Sequence, residues 1–462
     1  MNDDTVFLSA DPHHDTVHLF ESGLSSSDQP MPASRTTAAE GPRTEVRRDA
    51  LTGDRVLFAP ARNQRPNPNA DCRDESKSAT VISPDLGDQG PVDTSPVNAG
   101  SVDAVTDPDC PFCSGNEDQT PAALLTVSFN RTDDERNLHS QSSGSSPTYW
   151  ADRFRFDREP RAAGESSDWL IRVVPNKFPA VSLDQQSGHN PGSAFAGDND
   201  LDSLFQSYAS VGCHEVIVES PNHLTADMDS PAFIGYASML AARDRLRSLR
   251  ADAVRGKNTL QFFSVFKNNG LDAGASQPHA HCQLVGTNFV PPRIANCLRR
   301  SARYAQNTGS SLHGDLLRGE RSDGRRIVMQ DNDLIAYCPF ASRMPMQVRI
   351  ESTNDSSIFE SESKPTMVRI AEMLHRLIAA LRQQNPSLSY NYHINTSPVK
   401  LIEAQSFQWS IDLFPRLTRQ AGFEFGSDCF INPVTPESAA DFYRSAPSIL
   451  ATNQADSAVG PL

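Results

Sequence analysis

Two histidines separated by one residue lie in a segment whose residue types suit phosphate chemistry. Residues 277–283 read QPHAHCQ and follow a Gly- and Asn-rich run that ends at Ser276. If residues 279–285 form a strand, His279, His281 and Gln283 share one face, because strand side chains alternate. A neutral imidazole is a competent nucleophile near pH 7, since its unperturbed pKa is about 6.5. We therefore predict that His281 attacks phosphorus beside a loop of backbone N–H donors.

A pair of cysteines upstream, Cys110 and Cys113, has the spacing of metal ligands. The two-residue gap of CPFC lets one chain reversal present both thiolates to one tetrahedral ion. Such a pair can also be redox-active, but no thioredoxin-like strand–helix pattern surrounds it here. A His-x-His strand is itself more often a metal site or a surface pair than a nucleophile. The residues alone leave these alternatives open.

Two histidines can complete a closed site with these cysteines. His223 follows an apolar strand predicted over residues 215–219 and a Ser-Pro-Asn turn, and His279 is the second candidate. Four protein ligands fill a tetrahedral site, so a zinc ion there would be structural and would not activate water. The side chain of His214 is predicted to point to the face of its strand away from the site. We therefore expect His214 to be an ordinary, partly exposed histidine.

Several segments together resemble the galactose-1-phosphate uridylyltransferase family, the transferase branch of the histidine-triad superfamily. In family order they are residues 48–55, 59–66, 110–116, 174–179, 212–223 and 276–283, with a weaker match to about residue 445. The GFEFG sequence at residues 422–426 is also similar to the ADP-glucose phosphorylase branch.

The resemblance implies roles for individual residues. His281 would form a covalent nucleotidyl–histidine, and Gln283 would hydrogen-bond its phosphate, with Ser276 nearby. The hydrolase branch usually has a third histidine at the position of Gln283, so the glutamine favours transfer to a sugar phosphate. The implied zinc ligands are Cys110, Cys113, His223 and His279. The implied nucleotide, phosphate and sugar contacts are Arg62, Arg65, Asn176, Lys177, Asn268, Gly270, Phe423, Ser427 and Asp428.

The activity implied by the resemblance is exchange of UMP between UDP-glucose and galactose 1-phosphate. A covalent intermediate predicts ping-pong kinetics. One alternative is a phosphorylase or adenylyltransferase acting on ADP-glucose or another nucleotide sugar, with the same nucleophile. A second alternative is a non-catalytic, zinc-stabilised nucleotide-binding protein. The resemblance also implies a homodimer. A second metal site found in many relatives is expected to be absent, because Asn395, Gln408 and Ser410 replace its ligands.

The predicted fold class is α+β, with tandem histidine-triad-like halves, each an antiparallel-rich sheet with packed helices. Helices are predicted from Ser230 to about Arg250 and from Pro365 to Leu381. The halves cover residues 45–290, with the zinc and the nucleophile, and 291–445. Segments poor in apolar residues are predicted to be disordered tails or mobile insertions: residues 1–44, about 67–108, 131–148 and 184–200, and 446–462.

Composition excludes several other classes of protein. A net charge of −15 over 462 residues argues against a nucleic-acid surface, which needs clustered Lys and Arg. No apolar run approaches 18 residues and the N-terminus lacks a secretion signal, so neither a membrane span nor export is expected. Eight cysteines, two of them with metal-ligand spacing, favour a reducing cytoplasm over a disulfide framework.

Overall fold

The fold is taken from a computed structural model, which describes seven stretches of the chain: residues 44–60, 106–129, 150–158, 169–183, 210–224, 232–400 and 407–450. Most of the predicted tails and insertions lies outside these residues, as do Arg62 and Arg65. The sequence predicts a disordered tail over residues 446–462. Its first part, residues 446–450, instead packs onto the fold, and Ile449 is fully buried.

The described residues form fourteen strands and six α-helices. The strands are β1 (Glu45–Arg48), β2 (Arg55–Phe58), β3 (Leu125–Phe129), β4 (Phe154–Asp157), β5 (Trp169–Pro175), β6 (Gly212–Val218), β7 (Phe262–Asn269), β8 (His281–Thr287), β9 (Ile327–Asp331), β10 (Leu334–Tyr337), β11 (Val348–Ser352), β12 (Tyr390–Asn395), β13 (Ser410–Pro415) and β14 (Phe430–Asn432). The helices are α1 (Ala232–Val254), α2 (Pro292–Thr308), α3 (Leu312–Asp323), α4 (Lys364–Gln384), α5 (Gly422–Ser427) and α6 (Pro436–Ser445).

Eleven of these strands form one antiparallel sheet, which contains the predicted duplication. Its order is β4-β3-β5-β6-β8-β7-β12-β13-β11-β10-β9. The units β5-β6-α1-β7-β8 and β10-β11-α4-β12-β13 follow the same sequence of elements and lie in the sheet in opposite directions. The α+β class with tandem halves is therefore confirmed. The halves share one sheet, because all six residues of β12 pair with β7.

The long helices α1 and α4 cover one face of this sheet. The stripe predicted on α4 is buried, including Ile370, Leu377 and Leu381. The helix begins as the sequence indicates, with the Ser363 hydroxyl accepting a hydrogen bond from the Thr366 N–H at 3.1 Å and proline in the first turn.

The strands β1, β2 and β14 form a separate three-stranded sheet. Within the described residues, every helix is too short or too polar to span a lipid bilayer.

The histidine strand begins later than predicted. Strand β8 starts at His281, whereas His279 lies in a bend. The preceding residue, Ala280, is held by the chain that follows β6: its N–H donates to Leu224 O at 2.7 Å, and its carbonyl accepts from Glu219 N at 3.1 Å. The side chains of His279 and His281 therefore do not share a strand face, and His279 belongs to a separate cluster.

A buried ion pair supports β8 from the helix-covered face. Lys267 on β7 is paired in register with Cys282 on β8, and its ammonium contacts the carboxylate of Glu219. Glu219 also accepts hydrogen bonds of 2.8 Å from Ser238 and Cys282. Burial alone would raise the pKa of Glu219, but Lys267 and these donors hold it below its usual value. The charged carboxylate therefore joins α1 to the adjoining strands on the side of β8 opposite His281.

Removing one partner of this pair is expected to destabilise the fold strongly. Lys267→Met leaves Glu219 buried without its cation, which costs about 3–5 kcal/mol in comparable pairs. The matched control is Lys257→Met, since Lys257 forms an ion pair with Asp252 but is 63% exposed; its effect should stay within about 0.5 kcal/mol. Urea unfolding measures both variants. Equal small losses would show that the buried pair does not support the sheet.

Candidate metal centre and nucleophile

The four residues predicted as zinc ligands come together in the structure. One ligand atom from each of Cys110, Cys113, His223 and His279 lies within 4.8 Å of the others. The sulfur of Cys113 is 3.4 Å from His223 Nδ1 and 3.7 Å from His279 Nδ1, and the sulfur of Cys110 is 3.5 Å from His279 Nδ1. Tetrahedral zinc, with bonds of about 2.3 Å to sulfur and about 2.0 Å to nitrogen, places its ligand atoms about 3.5 Å apart. The cluster could therefore hold a metal ion.

The groups around the cluster fix its geometry. The side-chain NH₂ group of Asn116 lies 2.9–3.1 Å from three carbonyl oxygens, those of Asp107 and Pro108 just before the CPFC turn and that of Cys110 within it. The Nε2–H of His279 donates to Ser220 O at 2.9 Å, so its Nδ1 lone pair faces the cysteines. Such a second hydrogen bond is the usual way in which proteins fix a metal-binding imidazole.

The electrostatics of the cluster also suit a cation. Burial, with some help from neighbouring Cys110, raises the pKa of the Cys113 thiol to about 11. Burial lowers the pKa of His279 to about 4, so its ring is neutral at physiological pH. The Cys113 thiol, which resists ionisation, would become a stable ligand beside the neutral His279 ring once a metal ion supplied positive charge.

The predicted nucleophile is held by its own chain next to this cluster. His281 is only 6% exposed, and its ring centre lies 5.5 Å from that of Phe112 in the CPFC turn. His281 Nδ1 is 2.8 Å from the carbonyl oxygen of His279. A carbonyl only accepts hydrogen bonds, so Nδ1 carries the proton and Nε2 carries the lone pair. The tautomer is the one that attacks through Nε2.

Gln283 lies on the same face of β8, and His214 holds its amide. His214 pairs with Val285 and Val216 pairs with Gln283, so both side chains project from one face. His214 Nε2 is 2.8 Å from Gln283 Oε1, and Asn176 Nδ2 is 3.1 Å from the same nitrogen. The expected opposite parity of His214 is therefore wrong, whereas its expected partial exposure is confirmed. Its parity is set by the β6–β8 register, which the sequence does not specify.

Asn268 continues this polar face onto β7. The amide of Asn391 donates both to Ala273 O, at 2.9 Å, and to Asn268 Oδ1, at 2.8 Å. The oxygen of Asn268 is thus engaged, and its NH₂ group remains as the donor. In Asn176, likewise, Oδ1 accepts from Phe178 N at 2.8 Å. With Gln283, three side-chain amides have their oxygens held by the protein, an arrangement that suits an anion.

The loop between β7 and β8 requires glycine at its first position. Gly270 has φ of +82°, and a Cβ there would lie 2.2 Å from Ser389 Oγ, so glycine is required. Ser276 and Lys177 are exposed. Their side chains could therefore reach a ligand.

The segment predicted to contact the sugar forms a short helix beside the three-stranded sheet. Phe423 and Ser427 belong to α5, next to β14, and Asp428 ends that helix with φ of +52°. The Ser427 hydroxyl donates to Phe423 O at 2.6 Å, which closes its own turn. Phe423 is 46% and Phe425 75% exposed, an unusual exposure for phenylalanine.

A second metal site, found in many relatives, is expected to be absent here. Two of the positions that replace its ligands, Asn395 and Ser410, belong to a network of hydrogen bonds around Asp412. Asn395 donates to Ser410 Oγ at 3.2 Å and to Asp412 Oδ2 at 3.3 Å, and Arg349 contacts both oxygens of Asp412 at 2.9 and 3.1 Å. Burial alone would raise the pKa of Asp412, but Arg349 and His393 hold it at about 2. The carboxylate of Asp412 is thus engaged by a guanidinium group.

Comparison with known proteins agrees with this fold. Residues 44–446 match the profile of a family described as a domain of unknown function (DUF4921), and the chain belongs to that family. ADP-glucose phosphorylase of Arabidopsis thaliana is 25% identical over 411 residues, covering 88% of this chain and 94% of that protein. Galactose-1-phosphate uridylyltransferase of Neurospora crassa is 26% identical over 319 residues, covering 61% and 81% respectively.

Solved structures show the same fold. A crystal structure of the Arabidopsis thaliana ADP-glucose phosphorylase with bound ADP-glucose has a TM-score of 0.59 and 24% identity, and covers 87% of this chain and 99% of that chain. A structure of a uridylyltransferase has a TM-score of 0.53 and 22% identity, and covers 63% and 88%. The predicted resemblance to the galactose-1-phosphate uridylyltransferase family is confirmed.

Replacing one thiolate is expected to remove the metal. Cys113→Ser takes away a fully buried ligand, so the purified variant should lose most of its bound metal and unfold at a lower temperature. Metal content by mass spectrometry and unfolding by calorimetry measure both effects. Cys297→Ser, at a half-buried cysteine outside the cluster, should keep its metal. Equal metal content in the two variants would exclude the cluster as the binding site.

Proposed function

We propose that this protein is a nucleotidyltransferase that acts on nucleotide sugars through a covalent intermediate on His281. The observation that carries the proposal is the 2.8 Å hydrogen bond from His281 Nδ1 to His279 O, which leaves the lone pair on Nε2. A positioned neutral imidazole without a metal ligand role is suited to nucleophilic catalysis. Gln283, Asn176 and Asn268 supply neutral donors on the same side of the sheet.

The reaction divides into two displacements at the α-phosphorus of the donor. In the first, the Nε2 lone pair of His281 forms an N–P bond, the bond from phosphorus to the bridging oxygen breaks, and hexose 1-phosphate leaves with the electron pair. Nδ1 keeps its proton, and the His279 carbonyl stabilises the positive charge that the ring acquires. In the second, a phosphate oxygen of the acceptor attacks the same phosphorus, and the N–P bond breaks. Donors aimed at the phosphoryl oxygens stabilise both transition states.

We assign exchange of UMP between UDP-glucose and galactose 1-phosphate as the first candidate activity, supported by the family resemblance and by Gln283. ADP-glucose phosphorolysis is the second candidate. It is favoured by one observation: the relative named ADP-glucose phosphorylase matches 88% of this chain, whereas the Neurospora crassa uridylyltransferase matches 61%. Both candidates use the same nucleophile and differ in the base of the donor and in the acceptor.

We assign zinc to the four-residue cluster, because two thiolates and two imidazoles in a tetrahedron suit that ion. The role of the metal would be structural: it would clamp the His279 ring and thereby hold the carbonyl that orients His281. Arg62, Arg65, Ser276 and Lys177 remain predicted phosphate contacts.

A homodimer also remains a prediction. The exposed Phe423 and Phe425, together with Ser427 and Asp428 in the predicted sugar segment, are consistent with a surface that a ligand or a partner covers. A cytoplasmic location is supported by the cysteines, since all seven in the described residues are free thiols.

Trapping the intermediate tests this function. Protein incubated with UDP-glucose or ADP-glucose, each labelled at the α-phosphorus, and quenched in base should retain label on His281, because a phosphoramidate survives base. His281→Ala should retain none and should lower turnover by roughly 10⁴-fold or more.

Chasing the labelled protein separates the candidates. Label from UDP-glucose that galactose 1-phosphate removes supports the first activity. Label from ADP-glucose that inorganic phosphate removes as ADP supports the second. If protein that carries its metal retains no label from either donor, the proposal is contradicted. The alternative of a non-catalytic nucleotide-binding protein would then be favoured.

A further inference from the structure

His214 occupies a junction between two segments of the site. Its Nδ1 lies 3.1 Å from the backbone nitrogen of Ala180, and its Nε2 lies 2.8 Å from Gln283 Oε1. The Ala180 N–H is a donor in every protonation state, so Nδ1 of a neutral ring must accept from it. The proton of the ring is therefore on Nε2, which donates to the carbonyl oxygen of Gln283.

This hydrogen bond determines which end of the Gln283 amide faces a substrate. A side-chain amide can rotate to present either its oxygen or its NH₂ group, and only the NH₂ group stabilises a phosphoryl oxygen. With Oε1 engaged by His214, the NH₂ group projects along the face that carries His281. Without that partner, both orientations are accessible, and the oxygen would repel the anion in one of them.

The backbone of His214 also holds the adjoining loop. The His214 carbonyl accepts from Asn176 N at 2.8 Å, and the ring accepts from Ala180, so residues 176–180 are fixed at both ends. The Asn176 Nδ2 atom lies 3.1 Å from His214 Nε2, which is protonated in this tautomer and so accepts no hydrogen bond from that amide. One imidazole thus holds both the Gln283 amide and the loop that begins at Asn176.

We propose that His214 is a positioning residue that acts through Gln283, holding the amide so that its NH₂ group meets the transferring phosphoryl group. This inference rests on the proposed function and adds to it a residue that takes no part in bond making. His214→Ala should slow formation of the covalent intermediate about ten- to hundredfold, less than the full loss of one oxyanion donor, which costs about 10²–10³-fold. Binding of the nucleotide sugar should change by less than about threefold, because the orientation matters most in the transition state.

A double-mutant cycle tests the dependence on Gln283. The nucleotidylation rate at saturating labelled donor is measured for the wild type, His214→Ala, Gln283→Ala and the double variant, with UDP-glucose and ADP-glucose in parallel. If His214 acts through Gln283, His214→Ala has less than about a twofold effect in the Gln283→Ala background. The same loss in both backgrounds, or an unchanged rate for His214→Ala alone, would overturn the proposal.

Two further variants separate positioning from local packing. His214→Gln keeps an N–H donor within reach of Gln283 and should recover part of the rate lost in His214→Ala. Val285→Ala removes the direct cross-strand neighbour of His214 and should leave the rate within about twofold, since packing alone is altered. Equal losses in all three variants would assign His214 a purely structural role.

The tautomer provides a readout that does not depend on activity. In protein labelled with [¹⁵N]histidine, the His214 signals, assigned by their loss in His214→Gln, should show a protonated Nε2 and an unprotonated Nδ1. The opposite tautomer would overturn the positioning role even in an active enzyme. If the wild type forms no intermediate but shows this tautomer, the proposed function fails while the assignment of the hydrogen bond stands.

Discussion

The hydrogen bond between His281 and the carbonyl of His279 is the contact on which the rest of the site depends. It determines which nitrogen of the neutral His281 ring carries the proton. The carbonyl that sets this belongs to His279, whose side chain is itself held in place. The His279 ring is held by Ser220 on one side and by the cysteine cluster on the other. An ion held by that cluster would fix the His279 ring, and through it this carbonyl, without touching a reactant.

Several features could be predicted from the sequence because they depend on local chemistry. The CPFC spacing, His223 after its Ser-Pro-Asn turn and His279 made the cluster a candidate from the residues, and the family resemblance decided between it and the alternatives. The apolar stripe of α4 follows from helical periodicity, and the repeat of strand–helix–strand units predicts the duplication. In each case the residues that determine the feature are close in sequence or have few alternatives.

Other features depend on long-range register, which the sequence does not specify. The merging of both halves into one sheet requires β7 to pair with β12, more than a hundred residues apart. The role of His214 depends on a diagonal contact between β6 and β8, and parity assigned from sequence alone placed it wrongly. The late start of β8 arises from hydrogen bonds of Ala280 to Leu224 and Glu219, which a strand pattern of alternating side chains cannot reveal.

The shared sheet has a mechanical consequence for substrate exchange. Backbone hydrogen bonds span the junction between the duplicated halves, and the row Gln283, Phe266, His393, Asp412 and Arg349 crosses it without interruption. Hinge bending between the halves would have to break these backbone hydrogen bonds. Thermal fluctuations rarely supply the free energy that this opening requires. For the proposed exchange of sugar phosphates, the shared sheet would be a rigid floor beneath the reacting groups.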